Sequence, residues 1–284
     1  MAKPFTWHKI SHKISNDDFL KAEGFLRSRE DFCTGACSKI LSSNFSHIWT
    51  YNDDDNEVAA LMLHSRSSLF PVFSNKENIP LPDFFGRFLR KVNIYSVQGL
   101  SKDVKILEKG MEDSGFIAAD TIDYDLMTLN TSPPDACFEN GPEGLILRPP
   151  LQGDKEELFQ LHSAYEKEEV IPRHGFFNST SSRKTLERLL SGEKMLIAVL
   201  GSKIAGKINT NAKSYSKYQI GGVYVLPEFR GLGIAKIMSA AFIRELLNSN
   251  MGVNLFVKKR NIAANKLYKR LGFSVMGDYR ISYY

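Results

Sequence analysis

The stretch with the most chemical promise is Arg230-Gly-Leu-Gly-Ile-Ala-Lys236, which follows the apolar run Ile220-Gly-Gly-Val-Tyr-Val225. Downstream of it, Ile234, Ile237, Met238, Ala241 and Phe242 recur at helical spacing, so the segment reads as strand, glycine turn and helix. Glycines let a chain turn tightly with its N–H groups converging, and a helix start carries partial positive charge; such a turn suits a pyrophosphate. It lacks the Lys-Ser/Thr of a triphosphate loop and has two glycines where the dinucleotide fingerprint has three. A second cluster follows, in which the strand Asn254-Leu-Phe-Val257 leads into Asn261-Ile-Ala-Ala-Asn-Lys-Leu-Tyr-Lys-Arg-Leu-Gly-Phe273. Asn261 can cap a helix on which Ala264, Leu267, Tyr268 and Leu271 share a face, and Gly272 is its natural terminator.

Arg-x-x-Gly-x-Ala after a strand, followed by Asn-x-x-Ala-x-x-Leu-Tyr-x-x-x-Gly-Phe, resembles the acyl-CoA-binding core of the GNAT superfamily of N-acetyltransferases, over about Leu145 to Tyr284. The resemblance implies roles for the matching positions. Main-chain N–H groups of Arg230, Gly231, Leu232, Gly233, Ile234, Ala235 and Lys236 would cradle the pyrophosphate of acetyl-CoA. The strand at Val223, Tyr224 and Val225 would pair with the pantetheine arm where two neighbouring strands splay, with Asn261 beside it. The Val223 N–H would donate to the thioester oxygen as that atom gains charge. Tyr268 would protonate the departing thiolate.

One position departs from the family pattern. Several relatives carry a glutamate base four residues before the oxyanion-donor position, and that place holds Gln219, which cannot usefully accept a proton. Glu168 and Glu169, in Tyr165-Glu-Lys-Glu-Glu-Val170, are the alternatives, able to attract or deprotonate a cationic amine; a charge run is also a common solvated face. His174 is a weaker candidate. Cys33, Cys37 and Cys137 form an odd set without metal or redox spacing, so free buried thiols and no metal site are expected.

These residues need a scaffold, and the chain of 284 residues has material for two domains. Composition, 43% apolar and 24% charged, excludes collagen-like and disordered classes. No apolar run approaches a membrane span, and the first residues lack an apolar leader, which gives a cytoplasmic expectation with no membrane partner. Residues 1–140 carry 15 Lys+Arg against 20 Asp+Glu, and residues 141–284 carry 22 against 12, so the second part is the basic one. Its charges are scattered rather than striped with aromatics, which argues for a phosphorylated small molecule over nucleic acid.

The Pro/Gly-rich stretch 131–144 reads as a linker between a domain at 1–130 and one at 145–284. Alternating helical and strand patterns predict an α+β (mixed α/β) fold, and the resemblance implies two GNAT-like domains, each a mostly antiparallel sheet flanked by helices. Asp154 is expected to cap a helix, 185–190 to be helical, 92–97 to be a strand and 102–112 a helix. Laying Ser114-Gly-Phe116 over Leu271-Gly-Phe273 puts Val104 where Asn261 stands and Met111 where Tyr268 stands, so the first domain reads as a degenerate copy without cofactor chemistry. The resulting expectation is an acetyltransferase acting by direct attack in a ternary complex on a small-molecule or peptide amine. A non-catalytic acyl-CoA binder is the alternative.

Overall fold

The computed structural model describes residues 7–10, 17–75, 79–82, 85–173 and 175–284, so His174 lies outside the described residues. The chain forms two compact units, one of Met1–Leu126 with Met276–Tyr284, the other of Met127–Val275. The architecture is the expected mixed α+β.

In the first unit the strands β1 (Trp7–Lys9), β2 (His47–Asn52), β3 (Val58–Ser65), β4 (Ser68–Phe73) and β5 (Ser96–Leu100) lie in sequence order, and β6 (Asp120–Leu129) spans the division of the chain at Leu126. The chain's last strand, β12 (Ser274–Tyr283), runs antiparallel to β5, with Tyr279 opposite Leu100 and Tyr283 opposite Ser96. Helices α1 (Asp17–Ser28), α2 (Glu30–Leu41), α3 (Phe85–Leu89) and α4 (Ser101–Asp113) accompany the sheet. The buried face of α4, Val104, Leu107 and Met111, joins Trp49, Met62, Leu69 and Phe73 in one core. Each such fully buried side chain contributes roughly 1.5–3 kcal/mol. All three cysteines are free and buried.

Strands β4 and β5 are parallel and pair only at Ser68 with Ser96 and Leu69 with Val97. One feature opposes further pairing: Pro71 in β4 has no N–H to give. Beyond the last pair, the Phe73 N–H donates to the carboxylate of Asp103 at 3.1 Å.

The second unit holds β7 (Leu145–Arg148), α5 (Lys155–Tyr165), a π-type turn at Glu166–Val170, α6 (Ser179–Gly192), β8 (Met195–Leu200), β9 (Lys203–Lys213) and β10 (Lys217–Val225). These are followed by α7 (Ile234–Leu247), β11 (Gly252–Lys258) and α8 (Ile262–Arg270). The sheet order is β11-β10-β9-β8-β7, antiparallel except for the parallel β10–β11 pair. Met238, Phe242, Ile243 and Leu246 of α7 pack on Ile208, Ile220, Val253 and Leu255.

Several expectations are corrected. The 131–144 segment, read as a linker, lies in the second unit by the contact division, forms a 3-10 turn at Asp135–Phe138 and buries Cys137. The contact division also differs from boundaries at 130 and 145, because ladder pairing with β5 carries the chain's end from Met276 into the first unit. Asp154 does not cap α5; its carboxylate turns back to the Leu151 N–H at 2.5 Å and to both terminal nitrogens of Arg148 at 2.6 and 2.9 Å. The helix expected at 185–190 extends over Ser179–Gly192, since the Asn178 side chain accepts from the Ser181 N–H at 2.9 Å and so caps it early. The strand expected at 92–97 begins later, at Ser96.

The suspected repeat has a backbone basis. At the end of α4 the Phe116 N–H bonds Met111 O and the Gly115 N–H bonds Glu112 O; at the end of α8 the Phe273 N–H bonds Tyr268 O and the Gly272 N–H bonds Lys269 O. Both are the same two-bond helix stop with a left-handed glycine, Gly115 at φ +85° and Gly272 at φ +96°. No described helix is long and apolar enough to cross a membrane.

Candidate active site

The site is built on a fault in the second unit's sheet. Strands β10 and β11 pair at Lys217 with Gly252, Tyr218 with Val253 and Gln219 with Asn254, and no further, although both strands continue. Gln219 therefore stands at the fork. On the other edge of β10 the register slips: Gly221 faces Asn209 and Tyr224 faces Lys207, so β10 has one residue more than β9 there. Such a bulge removes residues from the ladder and bends the strand. Gly222, at φ +60°, makes it possible.

The fork opens into a cleft of about 470 Å³. Its walls include Val223, Tyr224 and Val225 of β10, the turn residues Arg230, Gly231 and Gly233, the first turn of α7 at Ile234, Ala235 and Lys236, and Asn261, Ala264 and Tyr268 of the α8 side. Gly231 (φ +82°) and Gly233 (φ +78°) both take the left-handed backbone that a side chain disfavours. Among the described residues no side-chain hydrogen bond caps α7, so the first N–H groups of that helix keep the lack of partners that the geometry dictates. A diphosphate fits this end: donors without side-chain competitors, two glycines, and a dipole of the right sign. The Arg230 and Lys236 side chains are engaged elsewhere. Arg230 donates from Nε to Val225 O at 3.0 Å and pairs with Glu168 at 2.8 Å, while Lys236 Nζ donates to Ala136 O and Glu139 O at 3.3 and 3.1 Å. Leu232 is half exposed at the turn.

Tyr268 is buried on α8, its ring edge-on to Phe273 with centroids 5.7 Å apart. Burial, with Tyr165 and Glu169 nearby, pushes its phenol well above the ordinary tyrosine value, so it holds its proton. Asn261 caps α8 as expected, accepting from the Ala264 N–H at 3.0 Å, and donates from Nδ2 to Glu169 at 3.4 Å.

The π-type turn brings Glu168 and Glu169 to the two walls. Glu168 binds Arg230 at 2.8 Å and accepts from the Tyr224 hydroxyl at 2.7 Å; the Arg230 guanidinium and then that hydroxyl hold its carboxyl below the usual range. Burial, followed by Glu168, pushes the Tyr224 phenol up to about 12. Glu169 pairs with Lys258 at 3.0 Å. Both carboxylates thus meet cations, and the pairing with Arg230 makes Glu168 a poor proton acceptor.

The sequence reading passed over Lys207, Asn209 and Lys258. Lys207 is fully buried behind the bulge, its Nζ donating to Gly222 O at 2.9 Å and Asn209 Oδ1 at 3.0 Å, 4.4 Å from the Tyr165 ring centre. Burial lowers its ammonium to about 7, against a pull upward from Glu166. A single lysine in a strand gives no sign of this in sequence.

Residues 156–273 match the profile of the acetyltransferase (GNAT) family. No curated protein sequence matches the chain. Among solved structures, the chain is similar to a Drosophila protein with a TM-score of 0.66 at 12% identity, over 99% of each chain. It is similar to a GCN5-related N-acetyltransferase from Sphaerobacter thermophilus at 0.59 and 18% identity, over 97% of this chain and 94% of that one. It is also similar to a tandem GNAT protein from the clavulanic acid biosynthesis pathway, at 0.58 and 13%, over 98% and 97%. At these identities the likeness is one of fold, and it extends to both units.

Proposed function

Residues 156–273 are a GNAT-family domain, and from that premise we propose that the protein moves an acetyl group from acetyl-CoA to a primary amine by direct attack within a ternary complex. The observation that carries this reading is the fork of β10 and β11 beyond Gln219 and Asn254, beside a glycine turn and an uncapped helix start. Bound there, acetyl-CoA supplies an acetyl group activated as a thioester. The N–H groups from Gly231 to Lys236 grip its diphosphate, that of Arg230 being already given to Pro227 O at 3.2 Å, and the main chain of Val223 and Val225 holds the pantetheine arm as an added strand, with Asn261 alongside. The Val223 N–H donates to the thioester oxygen as charge builds on it, worth about 10²–10³ in rate for such a donor elsewhere. As the C–N bond forms and the C–S bond breaks, Tyr268 delivers its phenolic proton to the sulfur. The proton lost by the amine passes to solvent, from which Tyr268 recovers its own. Because Glu168 and Glu169 are paired, they serve as an anionic lip that draws a cationic amine rather than as bases.

A second reading, a non-catalytic acyl-CoA binder, is favoured by the same paired carboxylates together with Gln219. The test is a thiol-release screen with acetyl-CoA across small amines, polyamines, amino acids and peptide N-termini, run beside calorimetry with CoA. Turnover on any acceptor supports the enzyme, tight CoA binding with no turnover supports the binder, and absence of both overturns the two readings together.

A further inference from the structure

Lys207 has no place in the reaction as derived above, yet its ammonium is fully buried. An ammonium removed from water needs strong compensation, and an apolar side chain of similar volume would fill a strand position at lower cost. Lys207 is nevertheless fully buried, with its Nζ 2.9 Å from Gly222 O and 3.0 Å from Asn209 Oδ1. Asn209 is itself oriented: its Nδ2 donates to Thr210 O at 3.0 Å and to Asn211 Oδ1 at 2.9 Å, which turns its oxygen to the lysine. The space for this pair exists because residue 222 is glycine. A Cβ there would lie 2.0 Å from Asn209 Oδ1 and 2.7 Å from Lys207 Nζ.

A trans peptide is planar, so the C=O of one residue and the N–H of the next point in opposite directions. Holding Gly222 O on the Lys207 side therefore sends the Val223 N–H the other way, and Val223 lines the cleft. The bulge has already freed this peptide from the regular β9 ladder, so its plane needs some other anchor. We propose that Lys207, braced by Asn209, is a positioning residue whose hydrogen bond locks the Gly222–Val223 peptide with its N–H directed into the cleft, where that N–H serves as the oxyanion donor. The orientation part stands on geometry alone; the oxyanion part rests on the transferase reading.

The groups facing the Lys207 ammonium are known from each element around it. Glu166, 3.3 Å from His162 Nε2, and the Tyr165 ring come from the α5 side, Tyr224 stands opposite it on β10, and Asn209 lies on its own strand. Titration of His162 or Glu166 is separated from that of Lys207 by removing the lysine.

Two variants test the proposal: Lys207→Met, which keeps volume and removes donor and charge, and Lys207→Gln, which keeps a donor. In ligand-free protein, NMR should show the Val223 amide nitrogen and the Gly222 carbonyl carbon moving with pH between 6 and 8 in the wild type. Lys207→Met should abolish that response and displace both signals. With acetyl-CoA and an accepted amine, Lys207→Met should lower kcat about 10- to 100-fold with KM for acetyl-CoA within threefold, and Lys207→Gln should recover most of the loss. An unmoved Val223 amide in Lys207→Met overturns the orientation role. Equal losses in the two variants, or a change in KM alone, overturn the oxyanion role. If the wild type binds no acyl-CoA, the transferase reading and the oxyanion role fall together, while the amide signals still decide the peptide contact.

Discussion

Asp103 offers the sharpest quantitative test. It is 2% exposed at the start of α4, and its carboxylate accepts the Phe73 N–H where β4 and β5 stop pairing. Burial, opposed by that hydrogen bond and by Lys102 and Arg29, raises it from 3.8 to about 6. Between those values the folded protein holds a proton that the unfolded chain has released. A raised acid therefore contributes stability that is full below the unfolded pKa and is lost as pH climbs through about 6. Two units are worth about 3 kcal/mol over the whole window, of which about 2 fall between pH 4.5 and 8. Asp103→Asn keeps an acceptor for Phe73 but cannot titrate, so its stability relative to wild type should improve by about 2 kcal/mol from pH 4.5 to pH 8. Both tryptophans, Trp7 and Trp49, lie in the first unit, so urea unfolding followed by tryptophan fluorescence reads the unit that contains Asp103. Stability curves for the two proteins that run parallel across this range would refute the argument.

Two further outcomes are expected at the cleft. Tyr268→Phe should lower turnover at least tenfold while calorimetric affinity for CoA stays within threefold, and the wild type should show no alkaline loss attributable to Tyr268 below pH 10 because its phenol is held well above the ordinary value; unchanged turnover would remove it as the proton donor. Gly233→Leu forces a side chain into φ +78° backbone with the Asn140 carbonyl oxygen 3.4 Å from the new Cβ, and should abolish CoA binding in calorimetry, with retained affinity contradicting the cradle.

The parts that were legible in sequence are those set by local rules. Gly231 and Gly233 before an apolar 3.6-residue period specify a turn into a helix, and Asn261 followed three residues later by Ala264 specifies a cap; both occur as read. Asp154 had the right residue type for a cap, but Arg148, six residues back, competes for the same carboxylate with two charged hydrogen bonds. The destination of the last strand was hidden for a different reason. Which strand Met276–Tyr283 pairs with is a contact of long sequence separation, and the pattern of a strand does not name its neighbour. Lys207 was invisible because its meaning lies in Gly222 and Asn209, which approach it only through the bulge in β10.

The two units carry the same device with opposite outcomes. Each has a parallel pair of strands that stops pairing after two or three residues, followed by a helix that ends in a Gly-Phe stop. In the first, Pro71 removes one donor and the Asp103 carboxylate takes the next, so the backbone at the gap is satisfied from within the unit. In the second, the position that matches Asp103 in the repeat register is Arg260, which has no carboxylate to offer. Ala263, Ala264 and Leu267 present methyl and isobutyl groups to the cleft, and the acidic side chains come from the π-type turn, where Arg230 and Lys258 hold them to the walls. A gap whose N–H groups have no internal acceptor is the one able to take an extended amide-bearing ligand as a strand. On the proposed reading, that carboxylate and the glycine turn at Arg230–Lys236 together set the second unit's cleft apart as the acyl-CoA site. It follows that a carboxylate placed at Ala264 should compete for the β10 edge and weaken CoA binding at least tenfold, and calorimetry on Ala264→Asp showing wild-type affinity would break the link between backbone satisfaction and ligand capacity.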